Sequence, residues 1–157
     1  VSLLSAEHEI GLRRELPAGV RLYTGDDFHY PELIRGDEFG HSDALLGAFA
    51  AIAPAASAAL TALDDGDLAR YDAEIAPTLD LHLFEAPTSS YKVGIAFSAW
   101  LTGAQDGFQM VGGLQSARSL IHLARAFELL NDARLLPDPE LARHRMTLLA
   151  ATLGATR

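Results

Sequence analysis

Arg21-Leu22-Tyr23-Thr24-Gly25-Asp26-Asp27-Phe28 is the stretch on which the reading of the fold turns. From Val20 to Thr24 apolar and polar residues alternate, with β-branched and aromatic side chains among them, as in a short strand. The strand stops at Gly25-Asp26-Asp27, where glycine permits a turn and two carboxylates follow at once. In parallel α/β sheets and barrels, ligands gather at the carboxyl ends of strands. A hydroxyl, a glycine and two acids at such an exit are therefore a candidate site. The plainer alternative is a Gly-Asp turn whose side chains cap nearby amides.

Upstream, Ser5 before Ala6-Glu7-His8-Glu9 is a helix N-cap with acids in the first turn, where the helix dipole favours them. That helix is expected to end near Leu16, because Pro17-Ala18-Gly19 reads as a turn. Downstream, residues 28 to 43 are polar and irregular, with Pro31, Gly36 and Gly40: a long loop with room for one short helical turn. Ala44-Leu45-Leu46-Gly47-Ala48-Phe49 is wholly apolar and reads as a buried strand, although periodicity cannot separate it from the start of the next helix. Pro54 suits the first turn of an Ala-rich helix reaching Leu63, and Asp64-Asp65-Gly66 ends it. Asp67 caps another helix, expected to run until Pro77.

Beyond Pro77 the chain reads as helical. Thr88 or Ser89 opens a helix whose Val93, Ala96, Phe97, Trp100 and Leu101 form one stripe, closed by Gly103. Leu120, Leu123, Ala124, Phe127 and Leu130 form a second, with Arg118, His122 and Arg125 expected on its opposite, polar side. Asp138-Pro139 starts a third helix, whose stripe is Ala142, Met146, Leu149 and Leu153. Two strands do not make a stable sheet alone. Either they join a sheet supplied elsewhere, or one of the two strand readings fails.

The composition sets the outer limits. With 157 residues, 49% hydrophobic and 21% charged, the chain can bury one real core and is not expected to be disordered or to hold two full domains. A formal charge of −9 makes nucleic acid a poor partner, since phosphate binding needs a basic face. Without cysteine there is no disulfide, thiol nucleophile or thiolate metal site. No secretory signal is visible in the first residues, and the longest apolar run, Ala44 to Leu60, is mostly alanine broken by Gly47, Pro54 and Ser57. We expect a cytoplasmic protein with no membrane partner. Val1 in place of Met, beside a chain that uses Arg almost to the exclusion of Lys, raises the expectation of a truncated product.

Beyond the strand exit, chemistry has few other places to sit. Asp26, Asp27, His29 and His41, with Asp37, Glu38 and Asp43 nearby, offer oxygen and imidazole ligands, so a metal-dependent hydrolase is one alternative. Their spacing follows no pattern with a mechanical reason for binding a cation, and neither metal nor cofactor is expected. Lys92, the only lysine, lies in the first turn of an amphipathic helix and reads as a surface residue before it reads as an amine nucleophile. Phe97 and Trp100 read as core, His82 and His122 as surface. No G-x-S-x-G, P-loop or G-x-G-x-x-G occurs, and Met110-Val111-Gly112-Gly113 is most simply a connection between helices.

Taken in order, these segments resemble the dihydrodipicolinate synthase / N-acetylneuraminate lyase superfamily, and in particular a dihydrodipicolinate-synthase-like branch of it. Leu22-Tyr23-Thr24-Gly25-Asp26-Asp27 is similar to the end of the seventh strand of that family's (β/α)₈ TIM barrel. Ala44 to Phe49 with Ala53-Pro54 is similar to the eighth strand and the start of its helix, and Asp65-Gly66-Asp67 to the break between the next helices. Leu83-Phe84-Glu85-Ala86-Pro87-Thr88, with Lys92 four residues on, and Met110-Val111-Gly112-Gly113 continue the likeness into the C-terminal helical extension.

The resemblance implies an α/β fold of which this chain carries only the C-terminal portion. Residues 1–64 would end the barrel with strands seven and eight, and residues 65–157 would be the helical extension, leaving the chain mostly α. It implies a class I aldolase or lyase acting through a Schiff base on an α-keto acid such as pyruvate. The nucleophilic Lys is then expected upstream of Val1, so no catalytic residue falls within the chain. The pocket wall that carries over is Thr24, Gly25 and Asp26 on the seventh strand and Leu46 on the eighth, all substrate-binding. The partners implied are a small keto acid and the remainder of the barrel or a second copy. A non-catalytic helical interaction module is the third alternative.

Overall fold

A computed structural model of the chain describes residues 1, 3–79 and 91–155. It is mostly helical, with two short parallel strands. The chain divides into two compact units, Val1–Leu79 and Asp80–Arg157. That division lies on the far side of the helix that Asp67 caps.

In the first unit, α1 (Ala6–Glu15) starts where Ser5 Oγ accepts the His8 N–H, and acids occupy its first turn. β1 (Tyr23–Thr24) is shorter than the alternation over Val20–Thr24 predicts, and the supposed loop after it contains α2 (Tyr30–Arg35), almost two turns long. Pro31 fits the first turn of α2, because its missing N–H is one the helix could not have satisfied. Gly36 ends α2 at φ 76°, and a Cβ there would lie 2.6 Å from the Gly40 carbonyl oxygen. β2 (Asp43–Ala44) then runs parallel to β1, pairing Tyr23 with Asp43 and Thr24 with Ala44.

The predicted strand over Ala44–Phe49 is therefore corrected. Its extended part starts one residue earlier and ends where Leu45 N–H reaches the Thr24 carbonyl. Gly47–Ala50 turns into a single 3₁₀ segment, with Phe49 N–H closing onto Leu46 O. Small residues let the chain tighten there instead of continuing the ladder.

The β1-α2-β2 crossover is a compact parallel unit. On the edge of β1 away from β2, Val1 adds one more parallel rung. Its ammonium donates to Tyr23 O at 2.6 Å, and Gly25 N–H donates to Val1 O at 2.5 Å.

α3 (Ala53–Asp64) and α4 (Leu68–Leu79) cover this unit. Ala56, Ala59 and Ala62 recur every three residues on the buried side of α3, and Tyr30, Ile34, Tyr71 and Ile75 pack into the core shared with Ala59 and Ala62. Fully burying such an aliphatic side chain stabilises by roughly 1.5–3 kcal/mol. The core's polar tips are satisfied: Tyr71 donates to Pro31 O at 2.7 Å, and the Tyr30 hydroxyl meets Thr78 Oγ1 at 2.6 Å. α4 continues past Pro77 to Leu79, so the proline lies inside the helix instead of stopping it.

The second unit contains α5 (Tyr91–Leu101), a 3₁₀ segment at Val111–Ala117, α6 (Leu120–Asp132) and α7 (Pro139–Thr152). The three predicted stripes meet here, with Val93, Phe97, Leu101, Leu123, Leu130 and Ala142 buried. Asp138 caps α7 through the Leu141 N–H at 3.0 Å, and Ser119 caps α6 through His122 N–H at 3.2 Å. The expectation for Arg118 fails. It precedes α6 instead of lying on its polar face, and it is only 7% exposed. The Thr88/Ser89 cap, His82 and the Leu83–Thr88 segment fall outside the described residues.

Candidate functional site

The exit of β1 is built from side chains that alternate across the sheet. Leu22, Thr24 and Asp26 point toward the helices and are buried, as is Ser42 on β2's flank. Arg21, Tyr23, Asp43 and Leu45 occupy the opposite, open face, with Tyr23 41% and Leu45 71% exposed.

On the helix side, polar groups are consumed by the scaffold. Thr24 Oγ1 donates to Glu9 Oε2 at 3.0 Å and accepts from Asp26 N–H at 3.2 Å. Asp26 Oδ1 accepts from the N–H groups of Phe28 at 2.9 Å and His29 at 3.0 Å, and its Oδ2 takes the His29 Nδ1 proton at 2.9 Å. Burial pushes the Asp26 carboxyl up, but the His29 ring and these two amides outweigh it, so it sits below its ordinary value. Arg13, four residues after Glu9, reaches Leu33 O, Ser42 Oγ and the Asp37 carboxylate, at 3.3, 3.4 and 3.1 Å. α1 is thereby bolted to both strands and to α2 by two buried polar side chains.

Asp27 behaves otherwise. Its carboxylate takes the Ala48 N–H from the 3₁₀ segment that follows β2, joining the two strand exits. Its Oδ1 is shielded from solvent and has no hydrogen-bond partner among the described residues. Burial first, then the neighbouring Asp26 charge, holds the Asp27 carboxyl above its ordinary value.

The open face carries its own constellation. Arg21 grips Asp43 with two parallel bonds, Nε to Oδ2 at 2.7 Å and Nη2 to Oδ1 at 2.6 Å. The Arg21 guanidinium also lies 5.5 Å from the Tyr23 ring centroid, and His41 Nε2 approaches Asp43 Oδ1 at 4.0 Å. A cavity of roughly 500 Å³ runs from Tyr23, His41 and Asp43 at this edge to the helices, with Ile34 and Arg35 of α2 and Leu60, Leu63 and Asp64 of α3 in its wall. Phenol, imidazole, guanidinium and carboxylate together can orient an anionic substrate and exchange protons with it.

Of the residues singled out from sequence, Thr24 and Asp26 are committed inward and Leu46 packs against the Tyr30 core, while Gly25 lends its backbone to Val1. The exit does form a turn with aspartate caps, as the plainer alternative anticipated. The proposed ligand set Asp26, Asp27, His29 and His41 is split. His29 belongs to Asp26, His41 lies beside Asp43, and no group of three or more His, Asp or Glu side chains converges among the described residues. Lys92 is exposed. Arg21, Tyr23 and Asp43 were missed as a group. The period-two alternation put Arg21 and Tyr23 on one face, but their meeting with Asp43 depends on a parallel register that no local pattern encodes.

A family model described as a protein of unknown function (DUF993) matches residues 1–155. No curated protein matches the chain. Among the described residues, no helix is long and apolar enough to cross a membrane.

Proposed function

The chain belongs to the DUF993 family, and we propose that it is the closing part of a parallel β/α barrel of the class I aldolase or lyase kind, acting on an α-keto acid. The observation that carries this reading is the order Val1, β1, β2. Val1 bonds to the free edge of β1 in parallel register, β1 and β2 pair in parallel through a helical crossover, and Asp26 and Asp27 follow the carboxyl end of β1. Consecutive parallel neighbours with helices on one face are the repeating unit of such a barrel. The open face then becomes its interior wall.

In this reading the amine nucleophile comes from polypeptide that joins the sheet beside Val1. That amine adds to the keto carbon and water leaves; the resulting iminium takes up the electron pair of a breaking carbon–carbon or α-carbon–hydrogen bond to give an enamine, and in the reverse sense the enamine donates that pair to form the bond. Tyr23, Asp43 and the Arg21 that orients Asp43 line the wall facing the substrate, while Thr24 and Asp26 hold the strand end in shape. A cytoplasmic setting and a small keto-acid substrate belong to the same proposal, and the charge of −9 supports a partner other than nucleic acid.

The test is reductive trapping. The full-length family protein treated with pyruvate and borohydride should acquire one stable adduct on a lysine other than Lys92. No adduct, or an adduct on Lys92, overturns the reading.

A further inference from the structure

The second unit contains a cavity of about 600 Å³ that the barrel reading does not use. That volume lies within the range of small-molecule sites. Its apolar side is largely aromatic. Trp100 and Phe108 are stacked with centroids 5.8 Å apart and planes 17° apart, and Leu123 and Leu149 continue the surface.

The polar side is assembled where the chain enters α6, from an amide and a hydroxyl. Gln115 spends its Oε1 on Met110 N–H at 2.9 Å, which leaves its NH₂ group as a donor. Ser119 accepts from His122 N–H at the N-cap of α6, which leaves its hydroxyl proton to give. The positive end of this 13-residue helix favours an acceptor on the same side.

No Asp or Glu appears among the described residues that line the cavity. The one cationic side chain among them, Arg118, is only 7% exposed and already partnered, with His122 Nε2 at 2.9 Å from its Nη1 among its contacts. A charged ligand would shed its water here without gaining a counter-ion, whereas an uncharged one loses little. What the walls leave to be matched is an apolar body and one acceptor.

We propose that this cavity binds a small uncharged aromatic molecule that carries an acceptor oxygen, as a ketone or ester does. Its ring lies against Trp100 and Phe108, and its oxygen accepts from Gln115 and Ser119. Apolar burial supplies the affinity, and the lack of an unspent counter-ion rejects charged molecules of the same shape. The site stands apart from the keto-acid reading and does not need it.

Trp100 is the only tryptophan, so energy transfer from it reports on a ligand in this cavity. The uncharged dye N-phenyl-1-naphthylamine, titrated into the 157-residue chain, should give saturable emission on tryptophan excitation, and 4-phenylbutan-2-one should displace it. The charged analogues 4-phenylbutyrate and 4-phenylbutylamine should displace it at least about tenfold more weakly. Gln115→Met should weaken the ketone about tenfold and leave dye affinity unchanged, which also shows that the cavity is still formed. Should Gln115→Met fail to fold, Thr152→Phe at the exposed rim serves instead and should abolish binding of dye and ketone alike. Equal displacement by ketone, acid and amine, no saturable emission, unchanged ketone affinity in folded Gln115→Met, or wild-type binding by Thr152→Phe overturns the proposal. Release of the dye as the chain self-associates also overturns it, because the face then belongs to a second copy.

Discussion

Asp26 and Asp27 leave β1 side by side in opposite electrostatic states. Asp26 is fully buried and holds three donors, whereas Asp27 receives the Ala48 N–H and leaves Oδ1 without a partner among the described residues. The His29 ring and two amides favour the ionised form of the first, and burial favours the neutral form of the second. Two carboxylates driven apart by their surroundings behave differently: Asp26 organises the turn into α2, and Asp27 holds a proton more readily than an ordinary aspartate.

Asp26→Asn should destabilise the chain by about 1–2 kcal/mol at neutral pH, the ordinary cost of losing a charge-assisted cap. The sign follows from linkage. A carboxyl whose folded pKa is depressed contributes stability above its unfolded value, near 3.8, and that contribution is lost as pH falls through the folded value. Urea denaturation of wild type and variant at pH 7 and pH 3 should show a gap that narrows on acidification. A gap that stays constant with pH would assign the loss to shape rather than to charge.

Asp27→Asn should do the reverse. With its folded pKa raised, Asp27 stabilises most below the unfolded value near 3.8, and its contribution falls as pH rises from there through the folded value. The amide keeps the Ala48 N–H as a partner and removes a buried charge, so the variant should be more stable at pH 7 by up to about 1 kcal/mol and indistinguishable near pH 3. Thermal melts at the two pH values check this, and a lower midpoint at pH 7 refutes it.

How much of this was legible in the sequence depends on what each feature needs. Ser5, Asp67, Asp138 and Pro139 marked helix starts because capping is local chemistry between residues three apart, and each of these helices formed. The apolar stripes of α5 and α6 were equally legible, since a 3.6-residue period is written in the chain itself. The strand over Ala44–Phe49 was misjudged because apolar alanine-rich segments satisfy strand, 3₁₀ and helix alike, and the choice fell to backbone partners far away in sequence. Glu9 escaped notice for the same reason. Nothing in the first turn of α1 says that its carboxylate meets Thr24 across the interior.

Gly36 is the point where local conformation and crowding coincide. Its φ is 76°, and an added Cβ would sit 2.6 Å from Gly40 O and 2.8 Å from the His41 Cβ. The turn through Asp37 and Gly40 delivers the chain from α2 into β2, so it cannot relax without moving Asp43 out of register. Gly36→Ala should cost roughly 2–4 kcal/mol, above the 1–3 kcal/mol typical of a strained φ alone. Gly19→Ala is the control: it shares a positive φ of 84° but has nothing within 4 Å of the added carbon. Chemical denaturation of the two variants should separate strain from collision, and equal losses would remove the collision from the argument.

Glu9 and Thr24 form a buried pair whose members are not interchangeable. Thr24→Val keeps the shape and removes the hydroxyl from a fully buried carboxylate whose Oε1 has no partner among the described residues. It should cost about 2–3 kcal/mol. Glu9→Gln retains an acceptor for the Thr24 hydroxyl and should cost less. A double-mutant cycle on unfolding free energy should give a coupling of about 1 kcal/mol or more, because the two sites share one hydrogen bond. Additive losses would mean that Glu9 is held by packing alone.

The two faces of β1 give the sharpest separation of scaffold from chemistry. If the open face is the substrate wall, Asp43→Asn in the full-length protein should lower kcat/KM tenfold or more, about 1.4 kcal/mol of transition-state stabilisation. Its effect on stability should be small, because Asp43 and Arg21 meet near solvent. Thr24→Val, one residue from Tyr23 and on the other face, should lower stability and leave kcat/KM per folded molecule unchanged. Arg21→Gln should follow Asp43→Asn, since it releases the carboxylate from its two-point grip. Steady-state kinetics and denaturation midpoints for the three variants decide between the faces. Loss of turnover in folded Thr24→Val, with Asp43→Asn at full activity, would move the wall back to the helix side.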